Sequence, residues 1–447
     1  MTRWLAEHAL GCRYASLPRP ARRIALHCIV DWYAVTLAAI GDPALAPLVA
    51  DAREQGGPAE ATAAGLEGRV GVYPAALVNG TTAHLLDYDD VNLAIPGHPT
   101  AVVYSALLPL AETLGADGQA LMSAFVAGYE TACRVGRWLG AAHYEQGYHA
   151  TATVGVVGAA AACAHLMGLD VARTGCALGL AATQAGGLKA MFGTMGKPLH
   201  AGLAARNGLM AARLAARSYD GGHAALDAAQ GYARVLSPAP DPAAALAEPP
   251  DGLHLHGRLF KYHASCYGTH AAIESARLLR EEGVDPGGIA TVQVLAHPAS
   301  RNMCNIPSPR TAAEARFSLR LNVAFALLGI DTAGIAAYTD ARLNNPRVTA
   351  LRDRIEISFT DQVRTMEAEV AVELPGGRTH RARVDAGRPQ ADIGLEESRL
   401  RGKFLALAGP VLGAGGAQAL LERLFTLPDL AALDDLARPL AAPARRG

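Results

Sequence analysis

A chain of 447 residues exceeds one ordinary hydrophobic core, so two domains are expected, and 51% hydrophobic with only 5% aromatic residues suits closely packed Ala-rich helices. Lys and Arg number 40 against 41 Asp and Glu, a net charge of −1 that offers no global field to nucleic acid or a membrane surface. The seven cysteines are scattered, with no CxxC spacing, which speaks against a disulfide framework or thiolate zinc site and fits a reducing cytoplasm.

The opening MTRWLAEHALGCRYASLPRPARR has no apolar run followed by a cleavage site, so no signal peptide is expected. Helical signals then dominate to about residue 235. ARRIALHCIVDWYAVTLAAIGD (21–42) shows an apolar face at helical spacing and stops at Gly. PTAVVYSALLPLAETLG (99–115) starts with Pro at a first turn and ends on Gly. The segments 117–140, 154–170 and 200–221 continue the series. Gln146–Leu169 is free of Asp, Glu, Lys and Arg, but its histidines and glycines and its lack of flanking anchors predict a buried core helix after a polar loop, not a membrane span.

LSPAPDPAAALAEPP (236–250) carries five prolines in fifteen residues and marks a boundary. Beyond it TVQVLAHP (291–298) and RIEISF (354–359) read as strands, and EAEVAVELPGGRTHRARVDA (367–386) as a hairpin turning at Pro-Gly-Gly. Helical stretches 269–283 and 313–329 lie between them, and from Glu396 the pattern is helical again. The expected fold is mainly α: a large helical domain from residues 1–248, a smaller α+β domain over 249–394, and a helical return over 395–447.

Candidate chemistry begins at LLDYDDVNLAIPGHPT (85–100), where Asp87, Asp89, Asp90 and His98 crowd together. Taken alone this is a polar helix end whose carboxylates are solvated or cap amides. This segment has no metal-ligand spacing such as HExxH or HxH, and no metal site is expected. Three further segments repeat a theme of ionisable groups at Gly- or Pro-rich helix entrances, where catalytic groups are often held. HYEQGYHATAT (143–153) carries His143, Tyr144 and His149; FGTMGKPLHAGLAARNG (192–208) carries Lys197 and His200; FKYHASCYGTH (260–270) carries Lys261, His263, Cys266 and His270. There is no GxSxG elbow.

The runs NGTTAHLLDYDDVNLAIPGHPT (79–100), GYHATATVGVVGAAAA (147–162), GTMGKPLHAGLAARNG (193–208), KYHASCYGTHAAIE (261–274) and AEARFSL (313–319) resemble the MmgE/PrpD family. That family includes 2-methylcitrate dehydratases, cis-aconitate decarboxylases and iminodisuccinate epimerases. The resemblance implies a helical domain plus an α+β domain, a homodimer working without metal or other cofactor, and a small di- or tricarboxylic acid substrate held between the domains. It implies Asp87, His98, His149 and Lys197 as catalytic residues, with Lys261, Cys266 and His200 contacting substrate and Asp89 and Asp90 capping the helix or holding the loop.

Every reaction of the family involves carbanion character or proton movement beside a carboxylate, which calls for a base and fixed positive charge. The decarboxylases carry a histidine at the position of Cys266 and a tyrosine at the position of Leu321, departures that speak against decarboxylation. Most proteins resembling the family are described as dehydratases, and that reading is placed first, nearly level with the next. The alternative is an imino-dicarboxylate epimerase, whose branch is similar in the extra residue within Asn92–His98, the HYxxGxH spacing and the strings FGTMxKP, AARNG and SCY. There Tyr144 acts as a second acid/base opposite a lysine. A decarboxylase, or a carboxylate-binding protein without turnover, ranks lower.

Overall fold

The protein is described here by a computed structural model covering residues 1–441. Two compact units divide it: Met1–Phe260 with the segment from Ala391, and Lys261–Gln390. In the first unit run helices α1 (Thr2–Gly11), α2 (Arg19–Ala39), α3 (Ala46–Gln55), α4 (Val72–His84), α5 (Pro99–Leu114), α6 (Gly118–Glu145), α7 (Ala150–Leu166), α8 (Val171–Ala182) and α9 (Gly196–Ala216), and the C-terminal helix Ile393–Phe425 returns to it. Local chemistry sets their ends. Asp117 and Asp170 accept from the backbone N–H groups of Ala120 and Arg173, both at 2.8 Å, capping α6 and α8. Pro20 and Pro99 occupy first turns, and α5 stops at left-handed Gly115.

Helix α7 is the middle of this unit, buried from Ala150 to Ala164. The uncharged stretch is therefore a core helix, as its composition predicts. Its small residues let neighbours approach to backbone contact: a Cβ on Gly158 would stand 2.8 Å from the Gly128 carbonyl of α6. Among the described residues one helix, Ile393–Phe425, is long and apolar enough to cross a membrane by length and composition. It packs along α2, buries Lys403, and is interrupted at Gly413 (φ 75°, ψ 159°).

Two short antiparallel pairs pin loops of this unit: β1 (Ala61–Thr62) with β2 (Arg69–Val70), and β3 (Val91–Asn92) with β4 (Arg258–Leu259). Residues 249–260, expected in the small domain, fall in the first unit because β4 pairs with β3 and because Glu130 of α6 accepts from the N–H groups of His254 (2.9 Å) and Leu255 (2.8 Å). Residues 391–394 likewise belong to it.

The second unit is a four-stranded sheet in the order β6-β5-β7-β8, with β5 (Thr291–Ala296) parallel to β6 (Ile355–Phe359) and antiparallel to β7 (Glu367–Glu373), which pairs with β8 (Thr379–Asp385). The β7–β8 hairpin turns on Pro375-Gly376, where Gly376 takes φ 93° and Gly377 donates to the Leu374 carbonyl at 3.1 Å, as a Pro-Gly turn requires. Helices α10 (Tyr267–Glu281) and α11 (Leu319–Leu328) pack together, and Ile273, Leu279 and Val323 join Val292, Val294, Val370 and Val372 in one core. The helix expected over 313–329 is broken at Ser318, whose hydroxyl caps α11 by accepting from Leu321 N–H, leaving a separate short turn at Ala312–Ala315.

Candidate active site

Helix crossings in the first unit bring together side chains that are far apart in sequence. A Cβ on Gly202 of α9 would stand 2.2 Å from the Leu77 carbonyl of α4, and one on Gly80 of α4 would stand 2.8 Å from Gly202 Cα. Only glycine fits this crossing, and it sets His84, the last residue of α4, beside the first turn of α9 with Lys197 and His200. Gly97 plays the same part for the loop: its Cβ would meet Thr151 Oγ1 at 2.8 Å. The loop thus lies on the start of α7, and Thr151 Oγ1 accepts from His98 N–H at 3.2 Å. His98 and His149 are the N-cap residues of α5 and α7. Three helix N-termini, those of α5, α7 and α9, therefore converge on one group of side chains.

Within that group Lys197 Nζ lies 2.8 Å from Asp87 Oδ1, and His98 Nε2 lies 3.5 Å from the same oxygen. Across the His98 ring, Nδ1 is 3.2 Å from Asp89 Oδ2, an ion-pair contact without hydrogen-bond alignment. His84 Nδ1 approaches both Asp89 oxygens at 3.1 and 3.0 Å. The His84 ring is 4.5 Å from that of His98 and stacks at 5.6 Å on that of His149. His149 Nδ1 faces His200 Nδ1 at 3.1 Å, so one donates and the other accepts. Phe192 meets the His149 ring edge-on at 5.0 Å and lies 5.1 Å beneath Lys197 Nζ. Asp87 takes φ 50°, a left-handed conformation that costs a non-glycine residue about 1–2 kcal/mol.

Burial governs the charges. It would raise Asp89, yet the imidazoles of His84 and His98 more than offset it and hold this carboxyl well below the usual range. Burial also pulls His84 down to about 4, against the attraction of Asp89, so at neutral pH it is an uncharged ring donating through Nδ1. His149 is driven well below its ordinary value by burial first, then by His84, Lys197, His98 and His200. His200 is lowered by burial. The result is an ionised carboxylate deep in the site, neutral His84 and His149 rings near it, and the Lys197–Asp87 pair at its more exposed end.

Donor atoms of His84, Asp87, Asp89 and His98 all lie within 4.8 Å of one another, so these four residues could hold a divalent cation. The expectation of no metal site rested on spacing along the chain, and the fold supplies a grouping of possible ligands through the α4 end. Proton handling accounts for the same atoms differently, since Lys197 already supplies a cation to Asp87 and Asp89 is engaged by two rings.

Of the residues expected at a site, Asp87, His98, His149, Lys197 and His200 stand together. Tyr144 sits under Lys189, whose Nζ is 3.8 Å from the ring centre and donates to the Tyr144 carbonyl at 3.1 Å. Lys261 and Cys266 lie in the second unit, where Lys261 is buried and Cys266 is the N-cap of α10, its N–H donating to the Arg316 carbonyl. His143 is a core histidine bonded to the Leu236 carbonyl and Thr153 Oγ1, and His263 bonds Thr332 Oγ1 and Glu274. Asp89 and Asp90 are buried rather than solvated and cap no amide of α5; Asp90 accepts from Thr100 Oγ1 at 2.9 Å. Two neighbours were missed, His84 and Phe192. The signal for His84 was its place three residues before Asp87 at a helix end; Phe192 had none beyond adjacency to the Lys197 turn.

Comparison with known proteins places these residues in a lineage. The MmgE/PrpD N-terminal domain profile matches residues 3–245 and the C-terminal domain profile residues 263–426. Cis-aconitate decarboxylase of Homo sapiens is 28% identical over 370 residues, covering 80% of this chain and 76% of that protein. The mouse protein of the same name is 27% identical over 83% of this chain and 78% of its own, and an Aspergillus terreus cis-aconitate decarboxylase is 24% identical over 84% and 83%. With both domain profiles spanning nearly its whole length, the chain belongs to the MmgE/PrpD family.

Proposed function

We propose that this protein removes a proton beside a carboxylate of a small di- or tricarboxylic acid and expels water from the neighbouring carbon, as a cofactor-independent dehydratase. The observation that carries the reading is the grouping of Lys197, Asp87, His98, His149 and His200 at three helix N-termini. Backbone N–H groups and the helix dipoles there favour an anionic substrate, and Lys197 can turn from Asp87 to a substrate carboxylate. His149 is the base. In the free site burial first, and then the nearby Lys197, disfavour its protonation, and a bound polyanion offsets the lysine, so its basicity rises when substrate is present. The C–H electron pair becomes the double bond as the C–O bond breaks. His98, between Asp87 and Asp89, donates the proton with which the hydroxyl leaves as water.

The relatives named cis-aconitate decarboxylase act on a carboxylic acid, which supports chemistry at a carbon beside a carboxylate while leaving the leaving group open. Cys266 and Leu321 stand where the decarboxylases of the family carry histidine and tyrosine, which speaks against loss of carbon dioxide. Epimerisation of an imino-dicarboxylate is the second reading, favoured by the HYEQGYH and FGTMGKP strings. A homodimer in a reducing cytoplasm accords with the family resemblance and with seven free cysteines. The test is a panel of hydroxy-, unsaturated and imino-dicarboxylates in D₂O followed by NMR. Water loss or addition with deuterium at the carbon beside the carboxylate is the expected result. Exchange with inversion and no water change selects the epimerase, a reading in which Tyr144→Phe abolishes turnover. Carbon dioxide release selects the decarboxylase, and no reaction or exchange with any member overturns all three.

A further inference from the structure

The site's acidic loop is anchored from the far end of the chain. Lys403, buried on the C-terminal helix, donates to Asp31 Oδ1 of α2 at 2.6 Å and to the carbonyl of Tyr88 at 2.7 Å. Its Nζ also stands 4.0 Å from the centre of the buried Tyr88 ring. The Tyr88 carbonyl belongs to the peptide group that joins Tyr88 to Asp89. One ammonium therefore fixes that peptide and the ring on the preceding residue, between the two carboxylates that flank His98. Asp87, on the other side of Tyr88, is held at φ 50°, a conformation that persists only when its surroundings determine it.

We infer that Lys403 is a positioning residue for the candidate active site, holding Asp87 and Asp89 against His98 through the Tyr88 backbone and ring. Lys403 is paired in the core with Asp31: burial raises Asp31 to about 6 against the pull of Lys403, and burial with Asp31 and Asp89 pushes the neighbouring Asp90 well up. The competing account is that Lys403 only neutralises Asp31 in the core. The two accounts separate because a core pair can be removed whole without leaving an uncompensated charge.

The experiment compares Asp31→Asn, Lys403→Met and the double variant Asp31→Asn/Lys403→Met. Three readouts are used: thermal unfolding, the NMR signals of the His98 ring, and steady-state kinetics. Only the kinetics depend on the function proposed above; a wild-type protein that turns over no substrate defeats that reading and leaves the His98 signals to decide this one. Asp31→Asn keeps the Tyr88 anchor and is expected to retain the wild-type His98 signals and kcat. The double variant is expected to unfold near the wild-type temperature while its His98 signals move. Its kcat should fall about 10²-fold, the cost of displacing a catalytic group by an ångström, with KM little changed because Lys197 still meets the substrate. A double variant with wild-type His98 signals and kcat overturns the inference. So does an Asp31→Asn protein whose kcat or His98 signals change as much as those of Lys403→Met. Should the double variant fail to fold, that comparison of the single variants decides.

Discussion

Replacing Lys197 with alanine separates a catalytic lysine from a structural one. Its ion pair with Asp87 is 2.8 Å long, with side chains 16% and 33% exposed, so water screens it and the pair contributes about 0.5–1 kcal/mol to stability. The contact with the Phe192 ring at 5.1 Å adds roughly 0.5 kcal/mol. For a chain this long that sum lowers the melting temperature by only about 1–2 °C. If the ammonium faces the charge that develops on the substrate carboxylate, its loss instead lowers kcat about 10²–10³-fold, or ~2.7–4 kcal/mol. Activity should therefore fall by far more than stability. Lys197→Arg should recover only part of the rate, since the planar guanidinium keeps the charge but not its position. Differential scanning fluorimetry and steady-state rates on a substrate from the panel measure the two quantities. A melting temperature lowered by about 8 °C or more, with kcat/KM within tenfold of wild type, would refute the assignment.

Three other outcomes are expected. Burial and its positive neighbours hold His149 neutral well below 6.5, so kcat/KM should stay level as the pH falls through 6.5; an acid limb at or above 6.5 that vanishes in His149→Asn would contradict this. Gly202→Ala places a Cβ against the rigid Leu77 carbonyl and should cost about 1–3 kcal/mol in urea unfolding together with most of the activity; a variant with wild-type stability would show that α4 and α9 can part freely. Prolonged chelation should leave turnover intact, and loss of activity restored by one divalent ion would assign the His84–Asp87–Asp89–His98 group to a metal instead.

Where structure is set by neighbours in sequence, the sequence reads well. The hairpin over 367–386 is one case: strand alternation on both sides and a Pro-Gly turn leave few other conformations, and the pairing Glu373↔Thr379 follows. The uncharged stretch before Asp170 is another, since its composition suits only a buried helix. Reading is poorer where a tertiary contact overrides a local pattern. Residues 249–260 follow a Pro-rich boundary yet are held to the first unit by β4 and by Glu130, whose burial raises it to about 7 against the two backbone N–H groups it accepts from. The apolar periodicity of 313–329 also hides the Ser318 cap that divides it.

The same distinction explains which parts of the site could be named in advance. His98, His149 and Lys197 are visible because each sits at a Gly- or Pro-marked helix entrance, and Asp87 because it opens a run of aspartates at a helix end; both are local features. What joins them is not local. The approach of His84 to Asp89 depends on α4 ending beside α9, and that crossing depends on two glycines 122 positions apart, Gly80 and Gly202, whose meeting no window of sequence contains. The anchor of Tyr88 by Lys403 spans 315 positions. Isolated aspartates next to a turn are ordinarily solvated, and on local grounds Asp89 and Asp90 are no different. Burial reverses that: an ionised Asp89 inside the protein needs compensation, which the His84 Nδ1 donor and the adjacent His98 ring supply. Under the function proposed above, the buried Asp89 orients the imidazole that moves the proton, and the more exposed Asp87 shares Lys197 with the substrate.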